Sequence, residues 1–468
     1  MRALRGAAAS FLLFFIVGLA LSWPALGWPM AYDDLHLLRS YTPGERTQVW
    51  RGSWDPDGVE HAGFRPLTTH FNDARYRLFG ENVAAHRLFL VGLFALYASL
   101  LAMVASALAV PSPAAVAAGV LMLCSRYSVY HYTWLTDGTH PLQGVLFAVA
   151  VLALIAGLRR RSAPRLAASL LAFAAAVLVR EDALALVPVL LLLGFVAAPG
   201  AHRSLVAFAT GLLAVSGALF VYRLHAVPDA PPPGVDVKSF VVATGRVLNL
   251  VGPESFDGVS RALAWTWTAA PVLVVAGLLI RRRGGLGGPE SPPSSKSERG
   301  IHSRASEDAR PAFVFLASAV LACTPALTFR RDDMLFFAVS FAALFYAGGL
   351  WALSRDGLAL RAAAAVLFAS GVLGGAYNSR AFALNFHPDS ARTVRWNAQM
   401  LYGPYADRAT IPAERRAALQ RQLAVHGVTS AVDLAFLGPR IAHARREGPF
   451  RPGAPGTLFF PPLPENDF

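Results

Sequence analysis

The chain reads as an all-α polytopic membrane protein, and three observations carry that reading. Of 468 residues, 55% are hydrophobic and 15% charged, with a mean hydropathy of +0.45. A soluble domain carries about 25% charged residues. Runs such as Leu88 to Val110 and Ala183 to Pro199 hold almost no charge. They are long enough, as helices, to cross a hydrocarbon core of roughly 30 Å. These runs are also continuous and not alternating, which excludes a strand barrel, since lipid tolerates only helices or closed barrels.

Helices are expected at roughly 7–29, 87–110, 113–132, 140–158, 165–180, 183–199, 204–223, 262–280, 311–329, 334–353 and 359–377, about eleven spans in all. The first follows Arg2 and Arg5 and resembles a signal peptide, but Trp23, Pro24, Trp28 and Pro29 stand where small residues would mark cleavage. It is read as an uncleaved first span. Basic residues fall in alternate connections: Arg2 and Arg5, Arg159 to Arg161 with Arg165, Arg203, Arg281 to Arg283, and Arg355 with Arg361. Eleven spans put all of them on the cytoplasmic side, as the positive-inside rule requires.

The net charge of +13 is thereby explained without nucleic acid, because the arginines sit beside apolar runs and in one tail. Cys124 and Cys323 both lie inside apolar segments and imply no disulfide framework. Ala- and Arg-rich usage points to a GC-rich bacterial genome, and so to an inner membrane. The chain divides into an N-terminal transmembrane module over 1–283, a disordered cytoplasmic linker over 284–310, transmembrane helices over 311–377 and an extracytoplasmic tail over 378–468. The outer side then receives loop 30–86, loop 224–261 and the tail. In the tail, Pro412 to His426 reads as an amphipathic helix with Ala413, Ala417, Leu419 and Leu423 on one side. Val428 to Leu437 reads as a short strand and turn.

The outer connections hold the chemistry-bearing residues. Asp33 and Asp34 follow the first helix directly; the pair suits a general base or a metal-binding pair, or else a solvated helix-end cluster. Arg65 before Pro66 presents a guanidinium on a fixed turn, for phosphate oxygens or for lipid headgroups. Arg180 and Glu181 join two helices tightly; they line a wet cavity or neutralise each other as a hairpin cap. Arg126 either snorkels or contacts substrate, among the interface aromatics Tyr127, Tyr130, Tyr132 and Trp134, with His131, Asp137 and His140 behind. Arg330 and Arg331 are a double arginine on the outer side, against the positive-inside trend, which suits an anionic partner. No zinc-type spacing, phosphate-cradling glycine loop or nucleophile elbow stands out.

Taken together these segments resemble the GT-C class of polytopic glycosyltransferases, closest to its mannosyltransferase-like branch. The resemblance rests on Tyr32-Asp33-Asp34, on Phe64-Arg65-Pro66-Leu67, on Leu78-Phe79-Gly80-Glu81-Asn82, on Arg180-Glu181 with Pro188 in the next helix, and on Arg330 or Arg331 before a late apolar helix. It covers roughly residues 8–350. The sequence departs from that pattern between helices 3 and 4, where Arg126, His131, Asp137 and His140 stand in place of a Glu and an Arg, and in the linker and tail.

The resemblance implies an inverting hexosyltransferase that moves a sugar from a polyprenyl-phosphate carrier to a glycan, lipid or protein acceptor at the outer membrane face. Asp33 or Asp34 would be the base, with Asp34 and Arg65 favoured first. Arg65, Arg126, His131, Asp137, Arg180, Glu181, Arg330 and Arg331 would bind substrate and lipid phosphate. Glu181 would orient an arginine or help to hold a divalent cation. The competing class is a transporter or flippase of an anionic lipid or lipid-linked sugar, and after it a non-catalytic relative. A transporter needs polar residues continuing through the bundle.

Overall fold

The computed structural model describes residues 2–59, 63–128, 130–228, 237–250, 258–284, 310–327, 335–383, 387–388 and 390–435. Among these residues the protein is all-helical, with no strand. Six helices are long and apolar enough to cross a membrane: Gly6–Ala25, Val83–Ala107, Thr136–Arg160, His202–Ala226, Phe336–Leu353 and Leu358–Ser379. Shorter apolar helices stand at Ser112–Cys124, Ala163–Val179, Thr266–Arg281 and Arg310–Leu321, and an eleven-residue helix at Val187–Ala197. The expected linker, from 285 to 309, lies outside the described residues, as do Arg330 and Arg331.

Phe336–Leu353 is buried nearly all round, so it is the central helix of the bundle. Its Ser340 accepts a hydrogen bond from Tyr97 (2.9 Å), and its first residue, Phe336, packs on the rings of His131 and His140. Phe14, Phe94, Tyr97, Phe147, Phe173 and Phe345 belong to the same core.

The two ends of this bundle differ in kind. At one end, Arg159 reaches from its helix terminus to the carbonyls of Ala107 (2.6 Å) and Ala197 (3.3 Å). Arg281 pairs with Asp356 (3.4 Å) just past the far end of the central helix. These are exposed or half-exposed arginines satisfying the last carbonyls of helices. At the other end the connections are long, and they carry every buried carboxylate, arginine and imidazole among the described residues.

Two expectations need correction. The third helix does not continue to residue 132. It stops at Cys124, Ser125 turns extended (ψ 140°), and a 3-10 turn and a short helix follow at Arg126–Ser128 and Tyr130–Thr133. Side chains compete with the ladder here: Ser125 Oγ accepts the Tyr127 amide and Ser128 Oγ donates to the Met122 carbonyl. In the tail, Ala413–Val425 is a helix as expected, but its buried side is Arg415, Leu419 and Leu423, and Ala413 is exposed. A short helix at Ala431–Ala435 replaces the expected strand; Asp433 caps its start, accepting from Thr429 and Ser430.

The break after Cys124 is gripped from the Leu358–Ala383 helix. Ser379 Oγ donates to the Cys124 carbonyl (3.0 Å), and a Cβ built at Gly375 would stand 2.7 Å from that oxygen. Only glycine permits this approach of two backbones. Gly375→Ala is expected to lower stability by about 1–3 kcal/mol, read as a drop in thermal midpoint in detergent, whereas Gly217→Ala, with open space around it, should leave the midpoint unchanged.

Candidate functional site

The connection after the first helix turns back under the tail. Tyr32 adopts φ +57°, a conformation that costs a non-glycine residue free energy. Its amide donates to Asn397 Oδ1 (3.2 Å), its hydroxyl accepts from Thr393 (3.2 Å), and the Trp134 and Trp396 rings flank it. Thr393, Trp396 and Asn397 lie on the Ala391–Tyr402 helix, which thus sets the direction in which Asp33 and Asp34 leave the turn.

Arg415, on the next tail helix, pins the same turn from below. Its guanidinium donates to the carbonyls of Asp34 (2.7 Å), Leu35 (2.8 Å) and Leu38 (2.9 Å), and it pairs with Glu81 (2.8 Å). Planar five-donor geometry suits such a fan of acceptors, which lysine cannot reproduce.

Asp33 and Asp34 are both buried, and the structure separates them. Asp34 is 1% exposed and Asp33 7%. Asp34 accepts the amides of Thr136 (2.8 Å) and Leu135 (3.3 Å). The same stretch is held by Arg75, which donates to the Leu135 carbonyl (2.8 Å), and by Arg87, which bridges the Leu26 (3.2 Å) and Thr133 (3.5 Å) carbonyls. Burial pushes the Asp34 carboxyl above its ordinary value, and the Thr136 and Leu135 amides with the Arg87 charge offset only part of this. Burial likewise pulls Arg75 down to about 10 while Asp34 pulls it up.

Beyond Thr136 the chain presents Asp137 between two imidazoles. His131 Nδ1 lies 2.9 Å from one carboxylate oxygen and His140 Nδ1 2.6 Å from the other, all three side chains buried. One turn on, Gln143 donates to the Arg180 carbonyl (3.0 Å) and to Asp182 (2.6 Å).

The turn Arg180–Asp182 corrects the expected pairing. Arg180 pairs with Asp182 (3.2 Å), and Glu181 pairs with Arg223 (2.8 Å) at the end of the His202–Ala226 helix. Glu181 also accepts the amide of Phe64 (3.3 Å) and stands 3.1 Å from where a Cβ on Gly63 would be. Arg65 caps the Pro66–Phe79 helix with its guanidinium 5.5 Å from the Trp54 ring, and Thr68 Oγ1 donates to the Val179 carbonyl (2.6 Å). Burial opposes ionisation of Asp182, but Arg180, His140 and Arg65 outweigh it and hold the carboxyl at about 2.

Thus the structure brings Asp33, Asp34, Arg65, His131, Asp137, Arg180 and Glu181 to one end of the bundle, linked through adjoining contacts. Arg126 lies in the adjacent 3-10 turn, its side chain outside the described residues; Arg330 and Arg331 also lie outside them. Sequence reasoning did not single out Arg75, Arg87, Gln143, Arg223 and Arg415. Charges inside apolar helices were the available signal for Arg87 and Arg223. Nor did it see a metal-type cluster, although the spacing His131-x5-Asp137-x2-His140 sets the three residues on three consecutive short elements: a short helix, a 3-10 turn and the start of a long helix.

No protein-family model matches the chain, and no curated protein sequence matches it.

Two outcomes test this geometry. Arg415→Ala leaves three buried carbonyls without donors, a loss of about 1–3 kcal/mol, and hydrogen exchange at residues 34–38 should accelerate first. For Asp34, the folded value lies above the unfolded one. Its contribution therefore favours the fold at acid pH and is lost as pH rises through the folded value. The stability of the wild type relative to Asp34→Asn should fall as pH is raised above about 4, by at most about 1.4 kcal/mol per pH unit. A pH-independent difference would contradict this.

Proposed function

We propose that the protein is a glycosyltransferase that takes a sugar from a polyprenyl-phosphate carrier and passes it to an acceptor hydroxyl, with inversion. One observation carries the reading: every buried carboxylate, arginine and imidazole among the described residues gathers at the end of the bundle opposite Arg159 and Arg281. Buried ions are costly and are kept where chemistry or ligand binding uses them. The positive-inside rule assigns the arginine end to the cytoplasm, with about eleven spans. The acidic end, capped by the tail helices, then faces the outside of a bacterial inner membrane.

In this reading Asp33 is the base. Asp34 already spends its carboxylate on the amides of Leu135 and Thr136, which makes it the group that positions this loop. The acceptor O–H gives its proton to Asp33, the oxygen attacks the anomeric carbon from the face opposite the phosphate, and the carbon–oxygen bond to phosphate breaks. The electron pair leaves with the lipid phosphate. Arg65 and Arg180 are placed to stabilise the developing charge, with Arg126, Arg330 and Arg331 as further candidates. Glu181, tied to Arg223 and to the Phe64 amide, orients the Arg65 turn.

A transporter of anionic lipid would need a polar path onward through the bundle. Below the charged end, the buried polar side chains of the described spans are mainly hydroxyls bonded to a helix carbonyl or to one another, such as Ser99 to Ala95, Ser169 to Ala150 and Tyr97 to Ser340, and none of them is charged. This favours the enzyme.

The test is transfer of radiolabelled sugar from a panel of polyprenyl-phosphate donors by the full chain in lipid nanodiscs. Wild type should transfer. Asp33→Asn should abolish turnover, Arg65→Ala should reduce kcat by about 10²–10³, and both should remain folded. Turnover by Asp33→Asn at the wild-type rate removes the base assignment. Failure of the wild type with every donor removes the glycosyltransferase reading.

A further inference from the structure

We propose that His131, Asp137 and His140 form a binding site for one divalent transition-metal ion of the zinc type. The proposal does not rest on the glycosyltransferase reading. The donors are two imidazoles and one carboxylate, from Tyr130–Thr133, the Thr136–Gly138 turn and the start of Thr139–Arg160. One ligand atom from each lies within 4.8 Å of the others.

Three features point to a ligand beyond the mere presence of the residues. First, both imidazoles turn Nδ1 toward the same carboxylate, at 2.9 and 2.6 Å, yet His131 Nδ1, His140 Nδ1 and Asp137 Oδ2 make no aligned hydrogen bond. One carboxylate thus faces two imidazoles at once, an arrangement close enough for one cation to be held by all three. Second, the cluster is sealed: His131 is 0% exposed and His140 1%, with Phe94 and Phe336 against the rings. An apolar wall leaves water no ready route to satisfy these nitrogens, and each orphaned polar group there costs about 1–3 kcal/mol. Third, Gln143 Oε1, one turn further along, is another buried acceptor without a partner.

Imidazole with carboxylate is a borderline donor set that suits zinc, cobalt, iron or manganese over magnesium or calcium, which prefer all-oxygen cages. Three protein ligands leave a tetrahedral ion one open position. Asp34 holds the amides of Leu135 and Thr136, immediately before Asp137, so the proposed acidic turn and the metal loop are mechanically joined.

The experiment uses the full chain, purified without a polyhistidine tag, stripped with chelator and titrated with Co²⁺ in nanodiscs. Visible d–d absorption and metal content by mass spectrometry are the readouts, and no sugar donor is present. Wild type should bind Co²⁺ stoichiometrically, and Zn²⁺ should displace it. His140→Ala and Asp137→Asn should each weaken binding by at least about 100-fold. Should those variants fail to fold, the wild-type titration decides by itself. Absence of stoichiometric Co²⁺ or Zn²⁺ binding by folded wild type, or retention of it in folded His140→Ala, overturns the site. Metal binding without sugar transfer would overturn only the glycosyltransferase reading.

Discussion

The carboxylate of Asp34 is the point on which the charged end of the molecule depends. It sits between Arg75 and Arg87 and binds the amides of Leu135 and Thr136. Those two arginines in turn hold the carbonyls of Leu135 and Thr133. Charges buried this deeply contribute little net stability by themselves, because desolvation cancels much of their mutual attraction. Its value is directional. Removing any member leaves the others buried and uncompensated, so the loop between the third and fourth spans has one low-energy placement relative to the first outer loop.

From that anchor the arrangement spreads in two directions. Toward the tail, Tyr32 and Arg415 lock the acidic turn against the helices Ala391–Tyr402 and Ala413–Val425, and Met30, Leu35, Leu38 and Leu90 share one apolar cluster with Leu401, Leu419 and Leu423. Toward the bundle, Asp137, His140, Gln143, Asp182 and Arg180 follow one another in contact, ending at Glu181, Arg223 and the Arg65 turn. Carbonyls and amides at helix ends are satisfied by these side chains. In a lipid surround the alternative would cost several kcal/mol for each group.

This division of labour also explains why the charged groups are concentrated at one end. The described lower connections, such as those at 108–111, 161–162, 198–201 and 354–357, are short and need only arginines near the surface to complete helix termini. The upper ones are long, fold over the bundle, and bury backbone that must find internal partners. Such a polar cap is at the same time a reservoir of fixed charges, the feature on which the proposed transfer from a lipid phosphate would draw.

What the sequence by itself determined is the class of the molecule. Apolar runs of nearly twenty residues can satisfy their backbone in lipid only as helices, so the run pattern was enough to predict an all-helical membrane protein, with six helices among the described residues long and apolar enough to span. The alternation of arginine-rich and acid-rich connections was legible for the same reason: charge in a membrane protein is confined to the ends of spans. The tertiary structure decided the pairings. Arg180 takes Asp182 and not Glu181, and Glu181 takes Arg223, because a turn of 3-10 geometry points adjacent side chains apart. It also decided that Asp34 faces the amides of residues 135 and 136, a contact about a hundred residues away in the chain, and that His131, Asp137 and His140 converge where Ser125 and Ser128 break the third helix. Periodicity marks which residues lie on a helix face. It carries no information about which loop closes over which, since that is set by packing between segments far apart in sequence.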